Sequence, residues 1–526
     1  MGKGKPPPRV AWCRAKRLPL ALGVVFPFVV LALYLEWSLE SDLNPLQRDW
    51  HQLPCPNIHA QGARERPVPT LSGPLREVLL GRVEKVRDTF RNLYRARDEI
   101  RKRVGNLFWM DRGAGCELHV TSLDIARSLF SNDGVDLLRP DMYQGVYKAM
   151  KFADGDTWLR QRKLMTAHVL TPQIKQQRAE RIAPKTAECI KQRLAKGIGG
   201  IVDIVPMVRE CLALFFVQAV MGEVWPGRSA LVKKLLACKA RACDSEDAAW
   251  FPWTQVQDVP DDAFVCLHEE VLHEVHRRLN QYIGSNKPVD PDRESLLSRM
   301  LRWTPAADGN ISNGQFLDVV EVIPNVISFM AAGWETSTPT LINAMWFLSA
   351  WESFPHSRQL QDRLGSSSAT VRQMLVNRVV SETLRWTPPI PWHSGLTARE
   401  LQVDEGHQKY LIPKGTSVIV DILGTHNASS SGPLGVGWDP EHATQQHYAG
   451  GVGARHCPGG KMALLALEHV LGSLLAEFRF QVAHPQIVET WFDGITGELG
   501  HDLCVIPWRA PLDVLVTKVT AINKTA

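Results

Sequence analysis

The stretch GGVGARHCPGGKMA, residues 450–463, is the most informative part of this 526-residue sequence. Cys457 lies there in a glycine-rich loop, two residues after Arg455, and a long apolar run over 462–478 follows at once. A thiolate needs nearby positive charge or N–H donors to hold its charge. Glycines let backbone N–H groups approach a sulfur closely, and a helix that begins after the loop adds the positive end of its dipole. The pattern therefore predicts a loop that presents one thiolate.

Three interpretations of this loop are open on its own residues. A single axial cysteine is one way in which proteins hold haem iron, and the loop fits that role. A glycine-rich loop before a helix can also cradle a phosphate, although this stretch matches neither GxGxxG after a strand nor GxxxxGK[ST]. A lone cysteine can also be a small buried apolar residue. The rest of the chain has to decide between them.

The composition is that of a folded globular protein. Hydrophobic residues make up 44% of the sequence and charged residues 22%, which allows a core that could bury a sizeable cofactor. The net charge is only +5, so we expect no nucleic-acid partner. The 10 cysteines are scattered and form no CxxC pair, which excludes zinc ribbons and redox pairs. This scatter favours a reducing compartment over a disulfide framework.

The N-terminal segment predicts a membrane anchor. Residues 1–17 are basic and contain no acid, and residues 18–35 are free of charge, close to the roughly 20 apolar residues that a span needs. We assign a single-pass transmembrane helix to 18–37, a stiff proline-rich linker to 38–74 and a catalytic domain to 75–526. The positive-inside rule would send that domain across the membrane, whereas a basic start also resembles an organelle presequence. The orientation is therefore open.

Helical patterns dominate the remaining sequence. Residues 106–120 are typical of a hairpin, because the strands LFWM and CELHV flank turn residues 111–115. A short helix is expected over 122–130, mostly helical structure over 173–285, and a further helix over 369–386. Short strands are expected at 410–413, 416–423, 480–484, 502–507 and 513–519. The sequence thus predicts a mainly α fold with small β-sheets, of the α+β class.

A helix pattern that begins at Asp154 contains the next candidate residues. Trp158 and Arg162 are four apart and therefore share one face. That face can offer an indole N–H and a guanidinium to the same anion. A surface arginine beside a core tryptophan is the simpler alternative for this pair alone.

A long apolar helix pattern over 319–351 carries a polar interruption. Glu335 and Thr336 lie in its middle, where an acid and a hydroxyl are costly unless they are used. Pro339 clashes with the carbonyl four residues earlier, that of Glu335. We therefore expect the helix to kink or open at Glu335 and Thr336, which would make room for water and a proton relay. The alternative, that Pro339 ends the helix, conflicts with the apolar run through Phe354.

The helix over 369–386 contains an acid and a base three residues apart. Glu382 and Arg385 can pair on one face of it. An ordinary surface ion pair of this kind contributes little.

The order and spacing of these motifs resemble the cytochrome P450 superfamily of haem-thiolate monooxygenases, in its eukaryotic membrane-anchored type. The likeness runs from about residue 65 to the end of the chain. The motifs that carry it are Trp158…Arg162, Ala332-Gly333-x-Glu335-Thr336, Glu382-x-x-Arg385 and Gly453-x-Arg455-x-Cys457-x-Gly459.

The resemblance implies haem b as the cofactor, with Cys457 as its proximal thiolate ligand. The residues implied to bind the haem propionates are Trp158, Arg162 and Arg455. The residues implied to let the loop pass under the ring are Gly453 and Gly459. The residues implied to line the oxygen pocket are Ala332 and Gly333. Glu335 and Thr336 would deliver protons, and Glu382 with Arg385 would brace the proximal side.

The resemblance also implies the reaction and the partners. The enzyme would insert one oxygen atom from O2 into a lipophilic substrate such as a terpenoid, steroid, fatty acid or aromatic compound. Its electrons would come from NADPH through a separate NADPH–cytochrome P450 reductase or another donor. The endoplasmic reticulum is the expected membrane, with a mitochondrial or other organelle membrane as the alternative. A P450-fold isomerase or dehydratase, and a haem-binding protein without turnover, are the other functions considered.

Three positions depart from the family pattern. Gly450 stands where the family usually has Phe, and Tyr448 is the nearest aromatic residue. The segment Pro440-Glu441-His442 is the closest match to the family's Pro-Glu-Arg-Phe, so His442 would replace the arginine that completes a triad with Glu382 and Arg385. The Arg or His that the family pattern places after Pro391 to bind a propionate is not evident in this sequence, because His393 and Arg399 are both poorly placed for that role.

Overall fold

Helices form most of the folded chain, and three small sheets accompany them. The computed structural model describes residues 60–61, 70–71, 105–111, 116–130, 136–138, 149–223, 227–242, 262–284, 295–304, 316–390, 392–405, 408–427, 438–441, 447–483 and 512–519. All of them belong to one compact unit, which comprises 56–112 and 116–526. The mainly α architecture with small sheets agrees with the sequence prediction.

The helices of the described residues follow one another along the whole chain. They are α1 (Leu123–Phe130), α2 (Gly155–Leu164), α3 (Pro172–Leu194), α4 (Val205–Met221), α5 (Arg228–Ala242), α6 (Asp262–Gly284), α7 (Leu296–Leu301), α8 (Val319–Ser349), α9 (His356–Ser366), α10 (Ala369–Trp386), α11 (Ile422–Asn427) and α12 (Gly460–Leu475). The short helix α11 was not expected from the sequence.

The strands form three sheets. They are β1 (Ala60–Gln61), β2 (Thr70–Leu71), β3 (Leu107–Asp111), β4 (Cys116–Val120), β5 (Leu137–Leu138), β6 (Ile201–Asp203), β7 (Trp392–Thr397), β8 (Leu401–Glu405), β9 (Gln408–Ile412), β10 (Ser417–Asp421), β11 (Phe478–Val482) and β12 (Asp513–Lys518). The strand orders are β1-β9-β8, β2-β3-β4-β10-β7-β5 and β11-β12-β6. The predicted hairpin is confirmed as the antiparallel pair β3 and β4.

Helix α8 is the central element of the helical part. It packs against α4, α6, α9, α10 and α12 and against strand β11. Most of its side chains are buried, because its sequence is apolar on nearly every face. The carboxylate of Asp318 caps its first turn, and Glu321 bonds back to the Asp318 backbone to complete a capping box.

The predicted opening of this helix is wrong. The helix runs unbroken from Val319 to Ser349 although it contains Pro339. The hydroxyl of Thr336 donates to the carbonyl of Ala332 at 2.8 Å, and that of Thr340 donates to the carbonyl of Thr336 at 2.7 Å. Neither hydroxyl bonds the Glu335 carbonyl, whose helical hydrogen bond is lost at Pro339, so the continuity of the helix is due to its packing on several sides.

A buried polar network joins α2 to α8. The Gln161 amide donates to the Glu321 carboxylate at 3.0 Å, and the Asn325 amide donates to the Gln161 oxygen at 3.0 Å. Arg160 also pairs with Glu321, and the Met150 backbone N–H donates to Asn325 at 3.0 Å. These groups satisfy one another, which a buried polar cluster requires.

The expectation of scattered, reduced cysteines is wrong for Cys189 and Cys211. Cys189 on α3 and Cys211 on α4 form a disulfide, with their Cα atoms 6.0 Å apart. The two residues are 22 positions apart in the sequence. Only the packing of α3 on α4 brings them together, so their spacing gave no sign of the bond.

The predicted N-terminal segments lie partly within the folded body. Strand β1 pairs with β9, and β2 pairs with β3, so these residues of the predicted linker 38–74 belong to the sheets. The basic segment 1–17, the predicted anchor 18–37, the expected strand at 502–507 and His442 lie outside the described residues. Among the residues that are described, no helix combines the length and apolar character that a membrane crossing requires.

Candidate active site

The cysteine loop is held by its own backbone hydrogen bonds. The N–H of Cys457 donates to the carbonyl of Gly450 at 2.7 Å, and the N–H of His456 donates to that of Gly453 at 3.2 Å. The N–H of Gly451 donates to the carbonyl of Tyr448 at 2.8 Å. Helix α12 begins three residues after the cysteine, as the sequence predicted. The loop therefore has one defined shape around the thiol.

The thiol of Cys457 is free and reaches solvent. Although the residue is exposed, the protein atoms packed around its sulfur remove water from it, and this desolvation raises the pKa of the thiol overall. Backbone N–H groups of Gly459 and Gly460 point at the sulfur, and the positive charges of Arg162 and Lys175 lie near it, and both effects lower the pKa. The surroundings thus contain the donors and cations that a thiolate ligand needs, against the cost of desolvation.

Gly453 and Gly459, the two glycines predicted to shape the loop, have different surroundings. Gly453 has a φ of +76°, and a Cβ at this position would overlap the backbone carbonyl of Phe130 at the end of α1. The N–H of the next residue, Ala454, donates to the same carbonyl at 3.3 Å. Gly459 has no described atom within 4 Å of its Cβ direction. Only Gly453 is therefore required by packing against the protein itself.

Arg455 and Trp158 are brought together, as the shared role predicted for them requires. The guanidinium of Arg455 lies over the indole ring of Trp158, 4.6 Å from its centre. It also donates to the Ala153 carbonyl at 2.6 Å and to the Asp154 carboxylate. The sequence gave no sign of Asp154 as a partner, because the two residues are 301 positions apart.

Arg162 lies against the same loop from helix α2. Its guanidinium donates to the carbonyl of His456 at 2.8 Å and contacts the His456 ring. Desolvation lowers the pKa of Arg162, and the nearby Cys457 raises it. Lys175, which the sequence analysis missed, donates to the carbonyl of Pro458 at 3.2 Å. Two cations from neighbouring helices thus flank the cysteine.

One face of α8 is less buried than the rest of that helix. Phe329, Ala332, Gly333 and Thr336 are half-buried, whereas Met330, Ala331 and Trp334 between them are buried. Residues three and four apart share a helix face, so the half-buried residues form one continuous stripe. Glu335 lies beside this stripe and is also half-buried. The predicted residues of the distal motif therefore share one partly exposed face.

Gly333 has a packing role that the sequence did not predict. A Cβ on Gly333 would overlap the ring of Phe216 on α4. Because glycine has no side chain, α8 and α4 can approach each other closely at this position. Gly333 therefore serves the packing of α8 against α4, and of the two residues predicted to line an oxygen pocket only Ala332 bears a side chain.

Glu382 and Arg385 form a buried ion pair rather than a surface pair. The Nε and Nη2 atoms of Arg385 donate to the two Glu382 oxygens, each at 2.8 Å. The indole N–H of Trp386 also donates to Glu382 at 2.9 Å, and the backbone N–H of Asp439 lies 3.4 Å from the same oxygen. Trp386 and Asp439 thus supply additional donors around the carboxylate.

The two residues judged poorly placed for a propionate have other contacts. Arg399 donates to both oxygens of Asp136, at 2.7 and 2.8 Å. His393 packs edge-on against Phe130, with ring centres 4.7 Å apart. The contacts of Arg399 and His393 within the protein do not decide whether either residue approaches a propionate, so the position of that cation stays a prediction.

The residues present fit a haem held through cysteine. An accessible thiol lies among N–H donors and two cations. Helix α8, which packs against the helix that follows the cysteine loop, offers a partly exposed and mostly apolar stripe. A large flat apolar cofactor with anionic substituents requires these features together.

A model of the family described as Cytochrome P450 matches residues 71–505 of the sequence. A cytokinin hydroxylase of Arabidopsis thaliana is 23% identical over 411 residues, which cover 73% of this chain and 77% of that protein. Cytochrome P450 6a2 of Drosophila melanogaster is 25% identical over 240 residues, which cover 40% of this chain and 46% of that protein.

The fold agrees with solved structures. A zebrafish cytochrome P450 solved with abiraterone superposes with a TM-score of 0.61 at 19% identity, over 80% of this chain and 98% of that one. This likeness concerns the fold, whereas the family model covers most of the sequence and all the motifs around the cysteine. The chain therefore belongs to the cytochrome P450 family.

Proposed function

We propose that this cytochrome P450 monooxygenase inserts one oxygen atom from O2 into a lipophilic organic substrate. The observation that carries the proposal is the Cys457 thiol, free and accessible among the N–H groups of Gly459 and Gly460. When bound, haem supplies the activation of O2 that oxygen insertion requires. The substrate class rests on the apolar stripe of α8 and on the family's known preference.

Cys457 is the proposed iron ligand, and Arg162, Arg455 and Trp158 are proposed to fix the haem propionates. Arg455 brings positive charge to the middle of the loop, and Arg162 contacts the loop at the adjacent His456. The Arg455 guanidinium lies 4.6 Å from the centre of the Trp158 ring. Asp154 holds Arg455 in place from the N-terminal end of α2. A planar guanidinium suits carboxylate recognition because it presents two parallel N–H donors.

Glu335 and Thr336 are proposed to hold and move protons at the distal face. The Thr336 hydroxyl donates its hydrogen to the Ala332 carbonyl, so its oxygen keeps the capacity to accept a hydrogen bond from water or ligand. Glu335 is half-buried beside it and can exchange a proton with water. Ala332 is proposed to leave room for oxygen because its side chain is a single methyl group.

The electron source and the membrane attachment are parts of the same proposal. We propose that NADPH supplies electrons through a separate NADPH–cytochrome P450 reductase, since the family requires an electron donor. Residues 18–37 would anchor the chain as a single-pass helix in the endoplasmic reticulum, with another organelle membrane as the alternative. The charge-free run over 18–35 and its basic flank support an anchor.

The Cys457→Ser variant tests the ligand assignment. Reduced wild-type protein with carbon monoxide should show the strongly red-shifted Soret band of thiolate-ligated haem, and the variant should lose it, since a serine hydroxyl does not replace a thiolate. Absorption spectra of both proteins give the measurement. The Thr336→Ala variant is the matched control and should keep the band. An unshifted band in the wild type would refute the ligand assignment.

The Thr336→Ala variant also tests proton delivery. Without this hydroxyl we expect product per NADPH consumed to fall at least roughly tenfold and hydrogen peroxide to rise, because a positioned proton-transfer group contributes on the order of 100-fold or more. The matched control is Thr340→Ala, which removes a buried hydroxyl one turn along the same helix. Equal coupling in both variants would show that protons arrive elsewhere, and turnover of peroxides without NADPH would favour the isomerase or dehydratase alternative.

A further inference from the structure

His426 lies at a junction that the family motifs do not include. It is 2% exposed and sits near the end of α11. Its Nδ1 lies 3.0 Å from the backbone carbonyl of Arg385, and its Nε2 lies 2.5 Å from the backbone N–H of Tyr448. The ring therefore bridges the end of α10 and the segment that leads into the cysteine loop.

These two partners fix the tautomer of the ring. A carbonyl can only accept, so Nδ1 must carry the hydrogen, and a backbone N–H can only donate, so Nε2 must offer its lone pair. Only a neutral imidazole satisfies both partners at once. Burial lowers the pKa of His426 to about 3, which agrees with a ring that stays neutral.

Tyr448 connects His426 to the cysteine loop through its own hydrogen bonds. Its carbonyl accepts from the N–H of Gly451 at 2.8 Å, and its hydroxyl accepts from Arg127 at 2.9 Å. The Arg127 guanidinium also lies 5.3 Å from the centre of the Tyr448 ring. Two residues further on, the carbonyl of Gly450 accepts from the N–H of Cys457 at 2.7 Å. Hydrogen bonds thus hold the backbone N–H, the carbonyl and the hydroxyl of Tyr448.

The other end of the bridge is equally fixed. The Arg385 side chain belongs to the buried pair with Glu382, while its carbonyl meets His426. A continuous set of contacts therefore runs from this ion pair through His426 and Tyr448 to the cysteine loop. Gly450 leaves the loop without the aromatic side chain that the family pattern places there.

We propose that His426, acting through Tyr448, is a positioning residue that helps to hold the cysteine loop in this chain. The proposal rests on the proposed role of Cys457 as the haem ligand. It assigns to His426 no contact with substrate or haem, only the placement of the Cys457 backbone through the Tyr448 amide.

The His426→Phe variant tests the proposal, because it keeps a buried ring and removes both ring nitrogens. In the haem-loaded protein we expect the amide of Tyr448 to exchange its hydrogen about tenfold faster, since a lost buried hydrogen bond costs on the order of one factor of ten. We also expect about tenfold faster transfer of haem to apomyoglobin. Exchange followed by mass spectrometry and the Soret absorbance give the two rates.

The matched control is His276→Gln, an exposed histidine on α6 that should leave both rates unchanged. The conservative His426→Gln variant, which can still accept from Tyr448, should lie between wild type and His426→Phe. Wild-type rates in a folded His426→Phe protein would overturn the proposal. The exchange rate does not depend on which ligand binds iron, so a failed ligand assignment would be recognised separately by the Soret band.

A second test reads the protonation of the His426 ring directly in the wild type. In the diamagnetic ferrous carbon monoxide form, nitrogen-15 spectra of labelled histidine should show one buried ring with a protonated Nδ1 and an unprotonated Nε2 that persists to pH 5. Assignment by comparison with His426→Gln identifies the ring. A protonated Nε2 on His426 would overturn the proposal, because that nitrogen could not accept from Tyr448.

Discussion

Gly453→Ala is expected to abolish haem retention. The new Cβ would overlap the carbonyl of Phe130, and that atom belongs to the backbone at the end of a helix, so it cannot rotate away. The φ of +76° adds strain for any residue with a side chain. Together these effects should destabilise the loop by roughly 2 to 5 kcal/mol. Haem content per folded protein, measured by absorbance after gel filtration, checks the prediction.

The neighbouring Gly451→Ala variant separates the two causes. Gly451 has the same φ of +76°, but the nearest atom to its Cβ direction is the Cα of His456 at 4.0 Å. Only the conformational strain remains there, so the cost should be about 1 kcal/mol and most haem should stay bound. Equal haem loss in both variants would show that backbone strain, rather than contact with Phe130, makes Gly453 necessary.

Glu382→Gln is expected to lower the stability of the folded protein strongly. It removes the charge of Glu382 from the Arg385 guanidinium, whose side chain is only 8% exposed. Breaking a buried ion pair in this way costs about 3 to 5 kcal/mol. We expect a correspondingly lower midpoint of unfolding in urea and little haem-loaded protein, measured by circular dichroism and absorbance.

The control for this prediction is Glu441→Gln, which breaks the ion pair with Arg363. The side chains of that pair are 54% and 31% exposed for Arg363 and Glu441, so water screens the lost charge. The cost should be about 0 to 1 kcal/mol. Unfolding midpoints that shift equally in the two variants would contradict a special role for burial of Glu382.

The sequence predicted the parts of the site that are local in the chain. The position of Cys457 between Arg455 and a helix start, the shared face of Trp158 and Arg162, and the limits of the helix over 369–386 all follow from neighbouring residues. Patterns of three and four residues decide such features because they fix which side chains share a face. These predictions agree with the structure.

The features that the sequence missed depend on contacts between distant segments. His426 is 22 residues from Tyr448 and 41 from Arg385, and neither interval has a periodicity that would indicate contact. The clash that makes Gly333 necessary involves Phe216 on another helix. Side-chain partners of this kind emerge only once the packing of helices is known.

The error at Pro339 has a different cause. The loss of one backbone hydrogen bond was predicted correctly from the proline, but its effect on the helix depends on what surrounds it. The hydroxyls of Thr336 and Thr340 bond to carbonyls of the preceding turn, but neither bonds that of Glu335. Neighbouring helices enclose this part of α8, so the local weakness does not become an opening.

The hydrogen-bond network of Gln161, Glu321 and Asn325 holds helices α2 and α8 at a fixed distance from each other. It joins the helix that carries Trp158 and Arg162 to the helix that carries Thr336, using only groups of the chain itself. Because the polar atoms in it bond to one another across both helices, the two helices have little freedom to slide or separate. The distance between these two helices is thus set by contacts within the protein, without any contribution from a cofactor.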